Sequence, residues 1–143
     1  MTRIDPRVEQ SLCDRFDQAI APQLARLQRP GGSVPAVERA DIGRPQGYIL
    51  GACESVIEQH GLDLNNTLYL AAILGHAFIQ VYGAAGEQVG LASFDAVRKG
   101  ELAVLKGQLA GRQDMAAFAA GRPGQPMGFH ALAIADGQAL ATH

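Results

Sequence analysis

The chain has 143 residues, enough for one domain that buries about two-thirds of its unfolded surface. Apolar residues make up 48% and charged residues 18%, which excludes an intrinsically disordered segment. The formal net charge of −2 argues against a nucleic-acid partner, because proteins that bind phosphate backbones usually present a basic face.

Asp5-Pro6 opens the first predicted helix: Asp is a good N-cap, and Pro is favoured at the first helical position. Val8, Leu12, Phe16, Ala19 and Ile20 follow at helical spacing, with Arg7, Glu9, Asp14, Arg15 and Asp17 on the other side. Pro22 is expected to kink or interrupt this helix near Ile20. Arg29-Pro30-Gly31-Gly32-Ser33 is a breaker, and residues 35–40 read as one short helical turn. The second predicted helix runs from Pro45 to His60, with Gly61 just past its end. Ile49, Ala52, Cys53, Val56 and Ile57 form its apolar stripe. Glu54 and Glu58 read as its solvent side, a mildly unfavourable like-charged pair.

Leu64 to Gly86 carries no formal charge if His76 is neutral. A membrane-spanning helix needs about 20 predominantly apolar residues, but Asn65, Asn66, Thr67, His76 and Gln80 dilute this run. No Lys or Arg flanks it closely. It therefore reads as no membrane span but as a buried central helix, residues 64–83, with the other segments packed round it. At 100° per residue, Tyr69 and His76 lie on nearly one line, with Gln80 about 20° to one side and Asn65 about 40° to the other. Asn65, Tyr69, His76 and Gln80 thus form one polar seam. Either its groups are satisfied by hydrogen bonds inside the fold, or the seam lines a ligand pocket or a partner interface.

Gly83-Ala84-Ala85-Gly86 ends the central helix. Ser93 reads as the N-cap of a helix from Phe94, with Val97, Leu102, Leu105 and Leu109 on its apolar side. Gly100 breaks the register, which predicts a kink or two successive helices, and Gly107 weakens the second half by about 1 kcal/mol. Asp114 is expected to cap a short helix ending at Ala120. Arg122-Pro123-Gly124-Gln125-Pro126 is the strongest loop signal in the chain. Beyond it, residues 127–143 read as a short β-hairpin turning at Asp136-Gly137, or as a helix or irregular tail. A solitary hairpin needs a surface to lie on. The fold class is all-α: a single small bundle of about four to six helices.

Little in the sequence carries chemistry. There is no Glu-x-x-His for a di-metal bundle site, no phosphate loop and no nucleophile elbow. Cys53 and His60 share a helix face but lie about 10 Å apart along the axis, too far to touch. No metal or cofactor is expected. Cys13 and Cys53 read as free, buried thiols in a reducing cytoplasm, and no apolar leader segment follows Met1–Arg7. The Ala, Gly and Arg richness suggests a bacterial source. The expected function is non-catalytic binding of another protein or a second copy, of adaptor, chaperone, immunity or inhibitor type. The alternative is a small-molecule binder or enzyme with a pocket along Tyr69, His76 and Gln80, with Cys53 or His130 contributing. A third reading gathers Arg39, Arg44, Arg98, Lys99, Arg112 and Arg122 into a nucleic-acid face.

Overall fold

A computed structural model describes residues 4–27, 42–65 and 67–120, without the side chains of 22 and 24–27. Among the described residues every regular element is helical, and the fold is all-α. The elements are α1 (Pro6–Leu27), α2 (Arg44–Gln59), α3 (Thr67–Tyr82), a 3-10 turn (Gly83–Ala85), α4 (Gly86–Arg98) and α5 (Leu102–Ala119). The sequence readings for residues 29–33, 35–40 and 122–143 fall outside the described residues.

Local chemistry sets most of the helix ends. The Asp5 carboxylate accepts the Arg7 N–H at 2.9 Å, and the Asp5 carbonyl accepts the Glu9 N–H, so Asp5 starts α1 as expected. At the start of α2 the Gln46 side chain reaches back to the Gly43 N–H at 2.8 Å. The C-termini of α2 and α4 share one closure. Gly61 and Gly100 adopt φ of +71° and +72°, which needs no Cβ. Leu62 then bonds back to Ile57 and Glu101 back to Ala96, while each glycine N–H caps a nearer carbonyl. Gly100 therefore separates two helices.

The most enclosed helix is α2, not α3. From Pro45 to Ile57 every residue of α2 except Glu54 is buried. On α3 the buried residues are Tyr69, Ile73, Leu74, Ala77, Phe78 and Val81, a single face, which corrects the expectation of a buried central helix over 64–83. An apolar surface all round made α3 look enclosed, but its outer side is open.

What encloses α2 is α5. A Cβ added to Gly47 would overlap the Val104 carbonyl, and one on Gly51 that of Gln108. Reciprocally, a Cβ on Gly107 would overlap the Arg44 carbonyl and one on Gly111 that of Tyr48. Two Gly-x-x-x-Gly faces thus meet, and the rising order of the paired residues makes α2 and α5 parallel. Small residues let the two backbones touch. Polar pairs fasten the edges. Tyr48 Oη donates to Asp114 Oδ2 at 2.7 Å, Gln108 Nε2 to Glu54 Oε1 at 2.6 Å, and Gln59 Nε2 to the Met115 carbonyl at 3.0 Å. Arg112 pairs with Glu58 and reaches Glu54 at 3.5 Å. Glu54 and Glu58 therefore bracket a cation and are not a bare solvent-facing pair.

Three other expectations give way to tertiary packing. α1 runs past Pro22 to Leu27 without interruption. Ser93 lies buried inside α4, where its hydroxyl donates to the Val89 carbonyl at 2.7 Å, so it caps nothing. Asp114 sits within one continuous α5, where it serves as the acceptor for Tyr48.

The run Thr67–Arg98 is long and apolar enough in composition to cross a membrane. It is folded back on itself at Gly83, φ +64°, into helices of 16 and 13 residues. Gly86 lies against the Phe78 backbone and Gly90 under the Phe78 ring, so α3 and α4 pack closely where the chain turns. Gln46 Nε2 on α2 donates to Tyr82 Oη at 2.9 Å and ties the far end of α3 to the start of α2.

Candidate functional site

The polar seam resolves into separate contacts. The Asp5 N–H donates to Tyr69 Oη at 2.8 Å, and Tyr69 is buried. His76 Nε2 meets Asp17 Oδ1 at 2.8 Å, with both side chains about one-third exposed. The bonds run from α3 to α1 and to Asp5 at its start, and act as fastenings between these helices. Gln80 is exposed, and Asn65 precedes α3 in a loop where its N–H donates to Asp63 at 2.9 Å. Asn65 and Gln80 thus do not join Tyr69 and His76 in one cluster. None of the four lines either of the cavities described next.

The outer side of the α3–α4 hairpin carries an open groove of about 370 Å³. Its α3 wall is Ala71, Leu74, Gly75, Phe78 and Ile79. These residues recur every three to four positions and so share one side of the helix. Its α4 wall includes Gly86, Gly90, Leu91 and Phe94 at the same period. Glu87 is the one charged residue in the lining. Ile79, Leu91 and Phe94 are 56%, 63% and 45% exposed, which is unusual for side chains of this size. A Cβ on Gly75 would meet nothing within 4 Å, so the floor of the groove is free for a close approach. A smaller cavity of about 90 Å³ shares Leu74 and Phe94 with the groove and extends it to Gln108 on α5. Leu102, Leu105 and Leu109 add an exposed stripe along α5.

The sequence reading missed the groove for two reasons. It took Ser93 as a helix start, which left Leu91 and Gly90 in a loop. It also took the all-round apolarity of α3 as evidence of enclosure. The surplus of apolar residues over what one buried face needs was the available signal: Leu68 and Ile79 lie off the face that packs on α2.

Two of the basic side chains of the nucleic-acid reading sit against carboxylates. Arg112 faces Glu54 and Glu58, Lys99 pairs with Asp95 at 2.9 Å, and Arg39 and Arg122 lie outside the described residues. Cys13 and Cys53 are free and buried. Burial pushes the Cys53 thiol well up, with Cys13 and Glu54 adding to the effect. Burial also raises Cys13, helped by Glu9, Asp17 and Asp14. Among the described residues no three His, Cys, Asp or Glu side chains gather as a metal site. What the groove offers is apolar contact area. No protein-family model, curated protein or solved structure matches this chain.

Proposed function

We propose that this chain acts without catalysis, by binding another protein, and that the α3–α4 groove is the docking surface. The observation that carries this reading is the exposed apolar lining of the groove, with Ile79, Leu91 and Phe94 turned to solvent beside the open floor at Gly75. Contiguous apolar surface of this kind marks interaction sites on soluble proteins. The shape suits an amphipathic helix of the partner, its apolar side in the groove and a Lys or Arg opposite Glu87. A bacterial cytoplasm is part of the proposal, and the two free thiols fit a reducing compartment.

The test is capture of partners from native lysate by the tagged chain beside its Ile79→Asp and Leu91→Asp variants. Each variant should lose the captured protein at least tenfold, while Gln80→Asp, on the same helix but outside the groove, should retain it. Equal capture by all four chains would defeat the reading. Loss of vesicle co-sedimentation in the same two variants, with no protein captured, would replace the partner with a lipid surface.

A further inference from the structure

The outward side of α5 carries a second apolar surface, away from the groove. Leu102, Leu105 and Leu109 are all exposed, Leu102 at 65% and Leu109 at 58%, and none of them lines either cavity. At 100° per residue the three fall within about 60° of one another, on the side of α5 away from the glycines that meet α2. Their spacing of three and then four residues is that of the a and d positions of a coiled-coil heptad. Ala116 continues the a positions and is exposed. Arg112, at the intervening d position, is held toward α2 by Glu54 and Glu58. In the same register Glu101 takes the g position before Leu102, and Lys106 the e position after Leu105; both are exposed. When two such helices pair in parallel, a g residue faces the e residue five places on in its neighbour. Five places on from Glu101 is Lys106. A second α5 laid parallel to the first thus gains two ion pairs, Glu101 of each copy against Lys106 of the other, on either side of the leucines. Laid antiparallel, the same faces would set Glu101 against Glu101 and Lys106 against Lys106.

We propose that two copies of this chain pair through α5, parallel about a two-fold axis, with Leu102, Leu105 and Leu109 packed against their counterparts. The occupant is a second copy because the face complements itself in both register and charge, as a two-fold contact must. The seam spans fewer than three heptads of α5, Leu102–Ala119, which places it at the small end of specific interfaces, and a Kd on the order of 10 μM is expected. The surface lies outside the groove, so the pairing stands or falls independently of partner docking there.

Sedimentation equilibrium of the full chain, from well below to well above that concentration, is the test. The parent should pass from monomer to dimer. Leu109→Asp should weaken the pairing at least tenfold and leave the helical circular dichroism unchanged, because the side chain is exposed. Glu101→Lys and Lys106→Glu should each weaken it, since each sets like charges across the seam, and an equimolar mixture of the two variants should regain it. Air oxidation of the Leu109→Cys chain should cross-link it into a dimer, because an a position has its own counterpart opposite it in the parallel arrangement. Cys13 and Cys53 are buried and stay out of that cross-link. A chain that remains monomeric throughout overturns the proposal; slow reaction of the Leu109→Cys thiol with iodoacetamide would then make the same chain the cover of the stripe. A dimer that survives Leu109→Asp but not Leu91→Asp also overturns it and moves the second copy to the groove. So does a mixture of the charge variants that pairs no better than its components.

Discussion

Gly47, Gly51, Gly107 and Gly111 have no room for a Cβ, because each sits against a carbonyl of the facing helix. Gly75 has open space. Substitution to Ala should therefore split by sign. At Gly47 or Gly107 the overlap forces the backbones apart and should cost about 2–3 kcal/mol, outweighing the helix-propensity gain. At Gly75 the gain stands alone, up to about 1 kcal/mol. Urea midpoints of the purified variants check both. The two Gly-x-x-x-Gly spacings are plain in the sequence. Their pairing is not, since it joins positions far apart in the chain, Gly47 to Val104 and Gly107 to Arg44, and propensity alone marks Gly107 as a weak point. The thiols give a second residue-scale test. Folding holds both in the neutral form by raising their pKa. Their contribution is thus complete below the unfolded thiol pKa of about 8.5 and is lost as pH rises beyond it. Iodoacetamide at neutral pH should leave both thiols of the native chain intact and modify both in urea.

At the scale of elements, the legible features were those written locally. Asp5-Pro6, Gly61 and Gly100 fix helix ends through chemistry spanning a few residues, and the structure has those boundaries. Ser93 and Asp114 resemble caps in isolation, yet each is claimed by a bond that suits an interior helical position. The seam residues divide the same way. Periodicity correctly aligns Tyr69 and His76 on one line, but only the fold shows that this line faces α1. Tyr69→Phe should remove one part-buried hydrogen bond and cost about 1 kcal/mol. His76→Ala should cost about 1 kcal/mol or less, given the partial exposure of its pair with Asp17. Both variants should capture partners as well as the parent chain does. A capture defect without a stability defect would return the seam to the functional site.

For the molecule as a whole, an all-α fold was legible because helical periodicity recurs from Asp5 to Ala120, whereas the identity of the central helix was not. Hydrophobicity ranks α3 first; burial ranks α2 first, because the enclosure of α2 comes from glycine contacts that add no apolar residues. The apolar surplus of α3 and α4 instead faces outward as the groove. Ile79→Asp and Leu91→Asp should accordingly leave the urea midpoint within about 0.5 kcal/mol of the parent, a behaviour foreign to core positions. The parallel pairing of α2 with α5 also bears on biosynthesis. Two neighbouring antiparallel helices can zip together as they leave the ribosome, but a parallel pair must wait for the intervening chain. The glycine face of α2 stays bare until residues 104–115 have emerged, by which time the α3–α4 hairpin has been synthesised. Among the described helices this joint thus cannot close before α5 is made, and a nascent chain halted before α5 should leave that face open to chaperones.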